Sequence, residues 1–157
     1  MSLHSSLSRP LRLQRAEKTE ARTQFAVLPW RLDKGKVRVC LVTSRGTGRW
    51  IIPKGWPMDD LSPAEAASIE AWEEAGLKGR VSPRPIGIYA TRKRFETAEF
   101  PIIAILYGMQ VAASSSSFPE RSERKRKWLS PKKAAARLDE PELAHIVRRF
   151  DPRSLPR

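Results

Sequence analysis

The segment from Pro53 to Leu77, PKGWPMDDLSPAEAASIEAWEEAGL, constrains this chain more than any other. Its second half spells one short helix with both ends marked. Ser62 is a natural N-cap, Pro63 suits the first helical position, Glu65 is placed to close a capping box, and Gly76 supplies the left-handed residue that stops the helix. Within it Glu70, Glu73 and Glu74 stand at i, i+3 and i+4, so the three carboxylates share one face. Like charges at this spacing repel, and stability alone would not group them. A divalent cation removes the conflict: hard oxygen donors on a rigid element suit Mg²⁺, with Mn²⁺ as the alternative. Elsewhere the chain is strongly basic, with 30 Lys and Arg against 17 Asp and Glu, which sets this acidic cluster apart from ordinary surface charge.

A chain of 157 residues is one domain with terminal extensions, long enough to bury a hydrophobic core. Its net charge of +13 calls for an anionic partner: nucleic acid, a membrane surface or a polyphosphate. No apolar run reaches membrane-spanning length, so no membrane partner is expected. Nucleic acid rests on charge alone, because no RNA- or DNA-binding motif accompanies it. The single cysteine, Cys40, leaves no intrachain disulfide and no cysteine-rich zinc site, and its apolar setting VRVCLV predicts a buried core thiol. His4 and His145 are isolated and receive no role.

Residues 1–23 carry Arg9, Arg12, Arg15, Lys18 and Arg22 among Ser and Leu, and read as a flexible basic arm; an organelle transit peptide shares that composition. The domain is placed at 24–150 and a short tail at 151–157. Strand-like runs cover Gln24–Leu32 and Val37–Thr43, joined by a turn at Asp33–Lys36, then Trp50–Ile52. After the helix, Pro85–Thr91 and Pro101–Val111 read as strands with RKRFETAEF as a charged connection between them. Ala112–Ser117 reads as a low-complexity linker, Trp128–Leu129 as a brief return to the sheet, and Pro131–Leu138 and Pro141–Phe150 as helices. A mixed sheet with a helix after its third strand and helices at the end predicts an α/β sandwich.

The helix and the loop before it resemble the Nudix box, G-x₅-E-x₇-R-E-U-x-E-E-x-G-U, where U is bulky and apolar. Gly55, Glu70, Glu73, Glu74, Gly76 and Leu77 fall in register, and Ala71 is a small stand-in for the bulky residue. Leu61 stands in place of the first Glu and Ile69 in place of the Arg. RWIIPKGWPM, EAWEEAGLKG, the RKR of 92–94 and ERKRKWL extend the likeness from Gln24 to Phe150, nearest to the diphosphoinositol polyphosphate phosphohydrolase-like branch. The resemblance implies a Nudix-type α/β/α sandwich with a mixed sheet. It also implies a metal site at Glu70, Glu73 and Glu74, completed by a backbone carbonyl near Lys54–Gly55, that promotes attack of water on a diphosphate linkage. Glu70 is the expected base, with Glu96 or Glu99 as the alternative. The missing Glu and Arg form a charged pair in the family. Their joint replacement leaves no unpaired charge, and Leu61 is placed to pack on Ala66 as a hydrophobic staple.

Basic residues flank the box. Arg45, Arg49, Arg92, Lys93, Arg94, Arg124 and Arg126 are expected to bind substrate phosphates, by analogy with the diphosphoinositol-type relatives for all but Arg49. Lys54, in P-K-G, resembles dinucleoside polyphosphate hydrolases instead. The expected function is therefore a metal-dependent, cytoplasmic pyrophosphohydrolase acting on an anionic polyphosphate small molecule, either a dinucleoside polyphosphate or a diphosphoinositol polyphosphate. Two alternatives stand beside it: a Nudix-like binding module with impaired catalysis, and an RNA 5′-end pyrophosphohydrolase. The sequence carries no signal for an oligomeric state.

Overall fold

Strand β1 (Arg22–Asp33) organises the sheet in a computed structural model that describes residues 22–155, the side chains of Arg94 and Phe95 excepted. Its residues alternate between two cores: Ala26, Leu28 and Trp30 face one, while Phe25 and Val27 face the other. Such a strand, apolar on both faces, belongs in the middle of a covered sheet. It runs parallel to β7 (Ala98–Ser114), from Arg22 opposite Ile102 to Trp30 opposite Gln110.

On its other edge β1 meets β2 (Lys36–Thr43) through a hairpin that turns at Lys34 and Gly35, both at positive φ (53° and 80°). The pairing lasts only from Asp33–Lys36 to Trp30–Val39. Beyond it the strands part. β3 (Trp50–Ile51) pairs with the far end of β2, while β4 (Lys54–Gly55) pairs with β1 at Phe25 and Ala26. This fork is where the sheet opens into a cleft. The free edge of β7 is shared by β5 (Leu77–Val81) and β6 (Gly87–Phe95), and β8 (Arg126–Leu129) pairs with β2.

Helix α1 (Pro63–Ala75) covers one face, packing Ala67 and Ala71 on Val27, Tyr107 and Met109. Helices α2 (Pro131–Arg137) and α3 (Pro141–Arg148) cover the other, where Ala134, Leu143 and Val147 join Leu28, Leu41 and Leu106. The result is the expected α/β sandwich with a mixed sheet. Cys40 is a core thiol, fully buried, and burial pushes its pKa up to about 12. No helix among the described residues is long and apolar enough to cross a membrane.

Four local expectations differ from the structure. RKRFETAEF is the far end of the β6–β7 hairpin, turning at Glu96 (φ 55°), and its exposed sides lack the apolar alternation that marks a strand. β4 falls in the stretch read as the loop before the helix, and β5 in a stretch given no element; the first is two residues long, and the second, LKGRV, buries only Leu77 fully. Ala112–Ser114 extends β7 rather than starting a linker. β1 begins at Arg22, inside the stretch read as the basic arm, whose residues 1–21 lie outside the described residues. At the other end, Leu155 packs against the larger core.

Candidate active site

Both ends of α1 are built as its sequence implies. Ser62 Oγ accepts the Glu65 N–H (3.1 Å), Glu65 Oε1 accepts the Ser62 N–H (2.8 Å), and Gly76 closes the helix at φ 68°. The helix buries Ala66, Ala67, Glu70, Ala71, Glu74 and Ala75, so two of its three clustered acids lie inward. Glu70 and Glu74 are 9% and 5% exposed, and their carboxyl groups hydrogen-bond to one another. Burial raises the pKa of both. Their proximity leaves the pair holding a proton between them, while Arg124 acts to lower both.

Glu73 lies elsewhere. Successive helical residues turn by about 100°, so Glu73 and Glu74 flank Glu70 on opposite sides, and only the Glu74 side turns into the cleft. Glu73 is half-buried, is absent from the cleft lining, and uses its backbone carbonyl to accept the Glu120 N–H (3.0 Å).

Gly55 fits against this pair by having no side chain. A Cβ there would fall within the Glu70 carboxylate, 2.8 Å from Oε1 and closer still to the other atoms. The carboxylate therefore rests on the backbone of β4, which brings the loop and the helix acid together. Lys54, one residue earlier, is held below the ordinary lysine pKa by burial, with Glu74 and Glu140 opposing that shift.

The cleft, about 520 Å³, is lined by Glu70, Glu74 and Glu120 and by Arg45, Arg49, Lys54, Arg92, Lys93 and Arg124. Its cations are not equally free. Arg45 pairs with Glu123 (3.2 Å) and Glu120 (3.9 Å), and Arg49 with Asp139 and Glu140 (3.7 Å each). Arg124 is 8% exposed at its side chain and engages Glu120 (2.7 Å), the Thr43 carbonyl (3.0 Å) and Glu74 (3.6 Å). Arg126 stands off the cleft and donates to the carbonyls of Ala75 (2.5 Å) and Ser115 (2.9 Å), so it caps the end of α1 rather than facing substrate. Glu96 and Glu99 are exposed on the hairpin and do not line the cleft. The side chain of Arg94 lies outside the described residues.

Glu120 and Gln24 are among the cleft residues that the sequence does not single out. Glu120, with Glu123, is one of two acids set into a basic run, and that contrast is its only signal. Gln24 has the same strand parity as Ala26, Leu28 and Trp30, so it is a polar residue at a core-facing position. It is 3% exposed, and its Oε1 has no hydrogen-bond partner among the described residues.

The donor set fits a divalent cation. Two buried carboxylates share a proton that a cation would replace, and every side-chain donor is a hard oxygen. Among the described residues no three His, Cys, Asp or Glu side chains enclose an ion by themselves. That suits Mg²⁺, which is held by one or two carboxylates together with water and substrate phosphates. Burial also predicts a pH dependence. Because Glu74 binds its proton more tightly folded than unfolded, unfolding releases that proton, and its contribution to stability falls as pH rises from the ordinary carboxylate range through neutrality. Lys54, shifted down, contributes with the opposite sign at higher pH. The expected result is therefore a difference: in metal-free melts between about pH 5 and pH 8, wild type loses stability relative to Glu74→Gln. Parallel curves would show that Glu74 is ionised in the folded protein.

The NUDIX domain family model matches residues 21–150. Among curated proteins the chain is similar to Nudix hydrolase 12, mitochondrial, of Arabidopsis thaliana, with 33% identity over 129 residues covering 80% of this chain and 61% of that protein. Nudix hydrolase 16, mitochondrial, of the same plant is 30% identical over 142 residues, covering 82% and 78%. The chain spans 61% and 53% of the first two curated relatives. Among solved structures it is similar to a C. elegans Ap4A hydrolase (TM-score 0.57, 17% identity, 82% of this chain and 95% of that one). It is also similar to the NUDIX domain of Shewanella oneidensis NrtR complexed with ADP ribose (TM-score 0.60, 12% identity, 89% and 97%). At these identities the likeness to solved structures is one of fold.

Proposed function

Because this chain belongs to the NUDIX family, we propose that it is a metal-dependent pyrophosphohydrolase cleaving a diphosphate linkage in a highly phosphorylated small molecule. The observation that carries this reading is the buried Glu70–Glu74 pair on the floor of a cleft whose walls are basic. A bound Mg²⁺ or Mn²⁺ would neutralise phosphate oxygens and lower the pKa of the attacking water. Glu70, whose carboxylate rests against the Gly55 backbone at the cleft, is the group to accept that water's proton. Lys54, Arg92 and Lys93 line the cleft and, among the described residues, make no salt bridge, which leaves them to hold the phosphates. Trp56 at the same wall offers a ring to a base or other flat group.

Those three cations favour a substrate with several phosphates over a nucleotide sugar. Neighbours whose names carry Ap4A and ADP ribose support a diphosphate-linked ligand, and Lys54 in P-K-G leans toward the dinucleoside polyphosphate. The test is phosphate release from nucleotides, dinucleoside polyphosphates, inositol pyrophosphates and 5′-triphosphorylated RNA, with and without Mg²⁺ or Mn²⁺. Metal-dependent turnover of a polyphosphate is expected; divalent-metal binding with no turnover would favour the binding-module reading. Arg92→Ala and Lys93→Ala are each expected to raise KM about tenfold while leaving kcat within about threefold, because such groups hold ground state and transition state alike. Added salt should weaken substrate binding steeply. Turnover of a nucleotide sugar, indifferent to salt and to both substitutions, would rule out the polyphosphate assignment.

A further inference from the structure

We propose that Arg124 is the positioning residue that fixes the Glu70–Glu74 pair, supplying from a distant loop the cation that α1 lacks. The inference rests on the cleft being a hydrolytic site. Helix α1, PAEAASIEAWEEA, contains no Lys or Arg, and the position beside Glu70 is Ile69. Two buried acids on such a helix need a counter-charge from elsewhere.

Arg124 brings it in a fully engaged geometry. Its Nε, Nη1 and Nη2 are directed to three separate oxygens, on Glu120, Thr43 and Glu74. The planar guanidinium holds those oxygens at fixed mutual positions, which a lysine ammonium on its flexible stem does not. With its side chain 8% exposed and all three nitrogens engaged, it presents little surface to a phosphate.

The segment that carries it is itself clamped to the end of α1. The Ser115 N–H donates to the Gly76 carbonyl (2.9 Å), and the Glu120 N–H to that of Glu73 (3.0 Å). Phe118 lies where a Gly76 Cβ would be, and the Arg126 guanidinium stands over the Phe118 ring at 5.3 Å. On the other side Lys125 exchanges hydrogen bonds with Thr43, its N–H to Oγ1 at 2.8 Å and its carbonyl to the Thr43 N–H at 3.0 Å. Residues 115–126 thus form a strap between the end of β2 and the last turn of α1. Arg124 is the side chain through which the strap reaches Glu74 and, through it, the pair.

The experiment compares Arg124→Ala and Arg124→Lys with wild type in the full chain, measuring kcat and KM on whichever polyphosphate wild type turns over, and thermal unfolding without metal. Arg124→Ala is expected to lower kcat at least thirtyfold with KM within about threefold, and guanidinium ion added to that variant restores part of the loss. Arg124→Lys keeps the charge but loses the fork, and is expected to lower kcat at least tenfold. In unfolding, Arg124→Ala and Glu74→Ala are less than additive when combined. A raised KM at unchanged kcat would make Arg124 a substrate ligand and overturn the proposal, as would wild-type kcat in Arg124→Lys. Should wild type turn over none of the compounds, the hydrolase reading fails, and the unfolding cycle alone decides whether Arg124 holds Glu74: additivity would overturn it.

Discussion

Glu74→Gln is expected to lower turnover by about a hundredfold or more while leaving the metal-free protein as stable as wild type or more so. Activity and stability move in opposite directions because the same burial acts on both. Glu74 and Glu70 share one proton at the bottom of the cleft, and burial disfavours ionising both. An amide at position 74 stands in for the protonated acid, so the apo fold keeps its hydrogen bond to Glu70 and sheds a latent charge. Catalysis has the contrary need, since an ion bound by this pair requires both groups ionised, and Gln is a neutral and much weaker donor. Glu70→Gln should cost as much, as it removes both an oxygen donor and the group expected to accept the water's proton. Glu73→Gln should cost distinctly less, because Glu73 does not line the cleft. The measurement is kcat with saturating Mg²⁺ beside melting curves in chelator. Equal losses at 73 and 74 would mean that all three acids serve the ion equally and that the cleft geometry misplaces Glu73.

That contrast shows how far the chain could be read before its structure. The helix was legible because its signals are local: cap, capping box, proline and terminating glycine all lie within one short stretch. The split within the acid triplet was not. Spacing puts three residues on one face, but which flank of that face is buried depends on where β4 and the strap pack, and both are set by distant residues. The basic run SERKRK shows the same limit. Its composition reads as a phosphate-binding rim, yet Arg124 and Arg126 are consumed by Glu74, Glu120 and the carbonyls at the end of α1. Charge density in a sequence cannot separate an arginine that waits for a ligand from one already bound by its own fold. Gln24 was the reverse case: parity along β1 marked a polar side chain facing inward, and that signal was available in the sequence.

Gly55→Ala is expected to lower kcat by at least about thirtyfold and to destabilise the fold by roughly 1–3 kcal/mol, although it adds one methyl group. The backbone is not the obstacle, since Gly55 is not among the residues at positive φ and an alanine could adopt its conformation. The obstacle is the Glu70 carboxylate, which occupies the space a Cβ would take. Relief requires either that Glu70 swing away, breaking its hydrogen bond to Glu74, or that β4 lift from its pairing with Phe25 and carry the Lys54–Gly55 carbonyls with it. Both routes separate the helix acids from the loop. Gly35→Ala is the control: that glycine sits at φ 80° in the β1–β2 turn with no atom near its would-be Cβ. It should cost about 1 kcal/mol of stability through backbone strain and leave kcat unchanged. Shortening Glu70 to Asp in the Gly55→Ala background draws the carboxylate back by one methylene and should recover stability in part, but not turnover, because the proton-accepting oxygen is then misplaced. If Gly55→Ala keeps wild-type kcat, the close approach of β4 to Glu70 is not part of the catalytic geometry, and the pairing of loop and helix that defines this site is wrong.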